Sequence, residues 1–291
     1  MNWEEIMDGI KIFSDSTCDL PIKEVKRMDI GIIPLTINFG EEVYKEGIDI
    51  NTKEVLEKVK ETGQLPKTAS PSPAEFYEAF EPYVKKGDTI IYIGLSSKLS
   101  STVANAMIAK NMFDNSENIH IIDSLNLCGA IGGLVRIAYN FLEEGKSVED
   151  TVSEIENILH HYKLFFTMDK LDYLYKGGRC SGMQFILGST FGVKPIIEMT
   201  TEGLDVWKKT RGKKKAIEMM LEEAERDKDR IYNKEIHVAA ITGSEKELEN
   251  IKEQLTKRTG ITKFYEYSVG CTIASHCGEG TVGFGYFLKE N

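Results

Sequence analysis

Three stretches in the first half of the chain share one design: a short apolar run, a hydroxyl-rich turn, then a helix-like run. IKIF (10–13) leads into SDSTCDLP and IKEVKRM, DTIIYIGL (88–95) into SSKLSS and TVANAMIAKNMF, and NIHIID (118–123) into SLNLCG and AIGGLVRIAYNFLEEG. Apolar strands alternating with helices specify a parallel sheet covered on both faces, because each parallel return needs a crossover and each strand is then buried twice. Ligands of such sheets sit at the carboxyl ends of the strands. All three strands end in small polar residues: Asp15-Ser16-Thr17, Ser96 to Ser101, and Asp123-Ser124. Each alone reads as a helix cap. Together on one sheet edge they point to a polar site.

Residues 31–86 form an excursion between the first two units. GIIPLTINFG and EEVYKEGIDI read as extended. Asn51 followed by Glu54 signals a capped helix, and Ser72-Pro73-Ala74-Glu75 starts another, which places Thr68 in a short loop just before a helix N-terminus. Residues 147–162 read as an amphipathic bridging helix. Beyond it the pattern changes to strands (KLFFTM, KPIIEM, LDVWKKT, EIHVAAITG, KFYEYSVG, TVGFGYFL), with helices over 213–228 and 244–258 and a hairpin turn at Thr201-Glu202-Gly203. The expected architecture is α/β in two domains. Residues 1–162 form a three-layer domain with a parallel sheet, and 163–291 a mixed-sheet α+β domain.

The C-terminal SHCGEGTVGFGY contains Gly278-x-Gly280-x-x-Gly283, a dinucleotide fingerprint by letter. The fingerprint needs a helix after it to hold a pyrophosphate, and here a strand follows, so the nucleotide reading fails. Net charge is −10, which disfavours nucleic acid or an anionic membrane as partner. Cys18, Cys128, Cys180, Cys271 and Cys277 are odd in number and lack CxxC spacing. They predict neither a disulfide framework nor a zinc site, and they fit a cytoplasmic protein. The acidic start MNWEEIMDG reads as no signal peptide, and no segment is long and apolar enough to span a membrane.

Among the histidines, His160 and His161 fall on the bridging helix, and His120 and His237 in strands. Only His276 occupies an irregular Gly-rich loop that invites a functional reading. The basic stretch KKTRGKKK (208–215) precedes a helix, where positive charge opposes the dipole. It reads either as a solvated hairpin end or as a docking patch. Tyr175-Lys176-Gly177-Gly178-Arg179 is a second basic turn. FILGSTFG (185–192) is apolar enough to pack in a core or line a channel.

Taken in order and spacing, IFSDSTCDLP, PLTI, PKTASPSPAEF, LSSKLSSTVANA, IIDS, YLYKGGRCS, KPII, KKTRGKKKA and SHCGEGTVGFGY resemble the DegV family over nearly the whole length. These are fatty-acid-binding proteins that act as the carrier subunit of bacterial fatty acid kinase. The resemblance implies a long-chain fatty acid in a channel near the domain interface, no resident cofactor or metal, and no catalysis by the chain itself. It also implies a kinase subunit that converts the bound acid to an acyl phosphate. Carried over residue by residue, Thr68 and Ser100 hold the carboxylate, His276 and Arg211 orient it or the incoming phosphate, and Arg179 meets the kinase. The family's T-S-Q-P is here Thr68-Ala69-Ser70-Pro71 and its L-S-G-T is Leu99-Ser100-Ser101-Thr102, departures that keep both hydroxyls. The alternatives are a serine-dependent esterase or acyl transferase using Ser100 and His276, and a lipid-sensing regulatory protein.

Overall fold

The structure is a computed structural model and describes residues 9–180 and 192–289. The chain opens with β1 (Ile10–Asp15), a 3-10 turn (Ser16–Cys18), α1 (Ile22–Arg27) and β2 (Gly31–Ile33). Then come β3 (Thr36–Phe39), β4 (Glu42–Lys45), α2 (Thr52–Thr62), β5 (Lys67–Ala69) and α3 (Pro73–Val84). β6 (Thr89–Gly94), α4 (Thr102–Lys110), β7 (Ile119–Asp123), α5 (Gly129–Glu143) and α6 (Val148–Ile158) follow. The remainder is β8 (Tyr162–Thr167), α7 (Asp172–Gly177), β9 (Val193–Thr200), β10 (Gly203–Arg211), α8 (Lys213–Asp227), β11 (Glu235–Ala240), α9 (Glu245–Thr259), β12 (Lys263–Ser268), α10 (Cys271–Cys277) and β13 (Val282–Phe287).

The three repeated units form a parallel sheet in the order β2-β1-β6-β7. Ile90, Ile91, Tyr92 and Ile93 are all buried, as strands covered on both faces must be. The later strands form a mixed sheet, β10-β9-β8-β13-β11-β12, in which only β11 and β12 run parallel. The excursion contributes β2 to the parallel sheet and folds the rest of its strands into a small antiparallel sheet, β4-β3-β5. Both expected capping boxes form, Asn51 with Glu54 and Ser72 with Glu75, the second with Pro73 at the first helical position.

α5 joins the two larger sheets. It packs on β1 and β6 of one and on β11 and β13 of the other. Its sequence is apolar nearly all round, the signature of a helix with no solvent face. One apolar cluster therefore runs from Ile12 and Ile93 through Leu134 and Ala138 to Phe166, Ile197 and Phe287. The five cysteines are all buried and none forms a disulfide.

Two local expectations are corrected. Thr68 lies in a strand, not a loop: β5 is only three residues long and exists because it pairs with β3, Thr68 opposite Ile37. His276 lies in the last turn of a helix, α10, rather than in an irregular loop. Seven residues bounded by glycines show too little periodicity to read as a helix, and the tertiary contacts at its first turn decide it.

Candidate ligand-binding site

The three hydroxyl-rich turns divide their labour. Asp15 is fully buried and accepts from the Thr17 N–H and hydroxyl, the Tyr92 hydroxyl and the Leu95 N–H. Asp123 accepts from the N–H groups of Ser97 and Leu125. These two turns are structural. The middle turn, after β6, faces a cavity.

That cavity, about 880 Å³ including its open mouth, brings together Thr68, Ser100, His276 and Arg179 on a wall that leucines, Ile273 and Cys277 share with Ala69, Ser70, Ser101 and Thr272. Thr68 Oγ1 lies 2.9 Å from His276 Nε2. Ser100 Oγ lies 2.7 Å from Thr102 Oγ1 and also accepts the Thr102 N–H at the start of α4. Ser70 and Ser101 bond to each other at 2.7 Å, and Asn105 donates to Ser70 Oγ and to the Pro71 carbonyl. β5 and α4 are thereby stitched along one side of the mouth.

His276 is uncharged. Burial, and next the Arg179 guanidinium, hold its imidazole down to about 4. Its Nδ1 is buried without a hydrogen-bond partner. An orphan acceptor costs less than an orphan N–H, so the proton belongs on Nε2, which donates to Thr68 Oγ1. The Thr68 hydroxyl proton is then free to point into the cavity. Arg179 is exposed at the mouth, donating to the Gly177 carbonyl at 2.6 Å and the Leu99 carbonyl at 3.5 Å. Neutral donors backed by one cation suit a carboxylate.

Arg211 is not part of this constellation. It ends β10 opposite Val193, exposed, and does not line the cavity. The basic stretch around it divides. Lys208 stacks over Trp207. Lys213 turns inward to Asp169, Glu247 and the Gly280 carbonyl, which offsets its position at the first turn of α8. Lys209, Lys214 and Lys215 are exposed. FILGSTFG lies, except for Gly192, outside the described residues.

Leu127, Ile273 and Cys277 are shared between this cavity and a second, apolar one. Sequence reasoning missed this inner chamber because no local pattern marks it. It runs along the face of the mixed sheet, and register gives its direction: the row Ala239–Gly283–Phe166 lies nearer the mouth, and the row His237–Gly285–Leu164, with Tyr162 beside it, at the far end. Thr281 to Gly285 spans roughly 13 Å at strand rise. The glycines of SHCGEGTVGFGY have their explanation here. A Cβ on Gly285 would stand 2.5 Å from the Tyr162 hydroxyl and 2.6 Å from the Lys163 carbonyl, and one on Gly283 2.5 Å from Phe166 Cβ. Only glycine admits this approach of β8 to β13. At the far end the Tyr162 hydroxyl lies 3.2 Å from His237 Nδ1, and burial pushes His237 down to about 3.

The esterase alternative requires Ser100 and His276 as a pair with an orienting carboxylate. Instead His276 Nε2 bonds Thr68, Ser100 bonds Thr102, and His276 Nδ1 has no partner. Among the described residues no cluster of side chains could hold a metal ion, and no helix is long and apolar enough to cross a membrane.

A polar mouth beside an apolar pocket, on this α/β scaffold, has the form of a site for an amphipathic small molecule. The chain belongs to the DegV family, whose model, described as an uncharacterised protein family, matches residues 9–289. A DegV domain-containing protein of Clostridium acetobutylicum is 36% identical over 285 residues, covering 98% of this chain and 99% of its own. Protein DegV of Bacillus subtilis is 32% identical over 283 residues, 97% of this chain and 100% of that one. Among solved structures, DegV of Bacillus subtilis, a fatty acid binding protein, superposes with a TM-score of 0.85 at 32% identity over 97% of this chain and 99% of its own. A fatty-acid-binding DegV family protein from Thermus thermophilus gives 0.88 at 27% identity over 96% and 99%. A stearic acid-binding protein from Eubacterium ventriosum gives 0.88 at 26% over 96% and 98%.

Proposed function

We propose that this protein binds a long-chain fatty acid and presents its carboxylate to a separate kinase subunit, which phosphorylates it to an acyl phosphate. The carboxylate would accept from the hydroxyls of Thr68 and Ser100, with His276 backing Thr68 and Arg179 at the mouth, while the acyl chain fills the inner chamber. The single observation that carries this reading is that the two cavities adjoin, sharing Leu127, Ile273 and Cys277, with hydrogen-bond donors lining one and almost wholly apolar surface lining the other. The fatty-acid-binding relatives support it.

The energetics fit. Each buried methylene contributes about 0.8 kcal/mol, so a long chain supplies on the order of 10 kcal/mol before ordering costs. A buried carboxylate without donors would cost several kcal/mol, which the hydroxyls offset. Arg211 and the exposed lysines near it stand outside the cavity, where they would meet the incoming phosphate or the kinase, and Arg179 would be covered by the kinase when it docks.

Organic extraction of the purified protein followed by mass spectrometry tests the binding step. A near-stoichiometric long-chain acid is expected. Folded protein that neither carries nor takes up any acid would overturn the reading.

A further inference from the structure

Two carboxylates that carry no motif, Asp19 and Glu46, are buried side by side beneath the site, with no lysine or arginine paired to either among the described residues. Glu46 follows β4. Its N–H donates to the Leu35 carbonyl at 2.9 Å. Its Oε2 accepts from the Ser16 and Thr272 hydroxyls, each at 2.6 Å, and its Oε1 from the Thr272 N–H at 2.9 Å. Ser16 Oγ in turn accepts the Leu35 N–H at 3.0 Å. Asp19 Oδ1 accepts the Gly270 N–H at 2.9 Å, while its Oδ2 has no partner. A Cβ on Gly270 would collide with Glu46 Oε1 and stand 2.8 Å from Asp19 Oδ1, so glycine is what lets both carboxylates reach the start of α10.

Charge divides unequally between them. Burial, and next the charge of Glu46, push the Asp19 carboxyl well above the usual range, and burial also raises Glu46. Both Glu46 oxygens are occupied by donors, whereas Asp19 has a free oxygen for a proton. Glu46 is thus the acceptor of the pair.

These contacts converge on one joint. Leu35 leads directly into β3, and β3 holds β5 through the Ile37–Thr68 register. Thr272 opens the helix that ends in His276. We propose that Glu46 is a positioning residue of the carboxylate site: it ties the strand pair that carries Thr68 to the helix that carries His276 and so keeps those two side chains at bonding distance. The proposal rests on reading that site as the fatty-acid carboxylate site.

Glu46→Gln tests it, because the side chain keeps its size and loses one acceptor. The Thr272 N–H must take the remaining oxygen. The new NH2 group then faces the Ser16 and Thr272 hydroxyls, both of which must reverse, although Ser16 already accepts from Leu35. Binding of radiolabelled stearic acid is measured for the wild type, Glu46→Gln, Thr68→Ala and the double variant, together with circular dichroism and the His276 ring resonances of the ligand-free proteins. Glu46→Gln is expected to fold, to bind about ten-fold more weakly, and to shift the His276 resonances. The double variant is expected to bind no more weakly than Thr68→Ala, since Glu46 acts through that pair. Penalties that multiply, or a Glu46→Gln protein with wild-type binding and unmoved His276 resonances, would overturn the proposal. Should Glu46→Gln not fold, Ser16→Ala loosens the same joint from its other side and carries the same expectations. A wild type that binds no stearic acid sinks the fatty-acid reading instead, and the ligand-free His276 resonances still decide the positioning role.

Discussion

The hydroxyls of Ser70 and Ser101 lie 2.7 Å apart. A serine after β5 and a serine before α4 make a bond along one side of the mouth of the cavity, on the flanks of Thr68 and Ser100. A double-mutant cycle should show it. Ser70→Ala and Ser101→Ala are each expected to cost about 0.5–1 kcal/mol in ligand retention, and together no more than either alone. Fully additive costs in a binding titration would mean that the bond does not shape the site.

On the proposed reading, Thr68→Ala removes a donor to the carboxylate without touching the core. Loss of a hydrogen bond to a charged group is worth roughly 1.5–3 kcal/mol, so retention should fall about ten- to a hundred-fold while the melting temperature stays close to wild type. Thr68→Ser should recover most of the affinity. Dissociation rates of a labelled acid read both.

The buried histidines set a pH dependence whose sign follows from their depressed folded-state values. The unfolded chain takes up these protons near pH 6.5. The folded protein resists until about 4 for His276 and about 3 for His237. Their contribution is therefore complete above 6.5 and is lost as pH falls from there toward 4. Denaturant midpoints measured over that window should decline, and less steeply in His276→Asn. A bound carboxylate should raise the His276 titration, which NMR of loaded and empty protein compares directly.

Arg179 acts at the rim. Arg179→Ala should leave most lipid retention intact, because in the proposed complex the buried acyl chain supplies the bulk of the affinity. Removing the guanidinium should raise the His276 titration, and acyl phosphate formation with the kinase should drop. Lipid lost on purification of this variant would place Arg179 in the primary carboxylate contact instead.

Ala239 lies in the row of the inner chamber nearer the mouth, opposite Gly283. Ala239→Leu should fill that row and shift preference toward shorter acids, seen by competition among saturated acids of graded length. An unchanged profile in a folded variant would place the acyl chain elsewhere.

The parallel sheet was legible because it is written locally: three apolar runs, each with its own polar turn and helix. The capping boxes at Asn51 and Ser72 are equally local. The motif letters also singled out Thr68 and Ser100, and the fold brings both to one cavity. What the sequence could not carry was decided by distant partners. β5 is a strand only because β3 is beside it, and α10 is a helix whose first turn is met by carboxylates from residues 19 and 46. The inner chamber exists because β13, the last strand, inserts between β8 and β11, so that its two glycines face Tyr162 and Phe166. Strand order across long sequence separations leaves no periodicity in the chain. It follows from which buried faces fit, and that fit turned a serine turn, a short helix and a glycine-rich strand into one site.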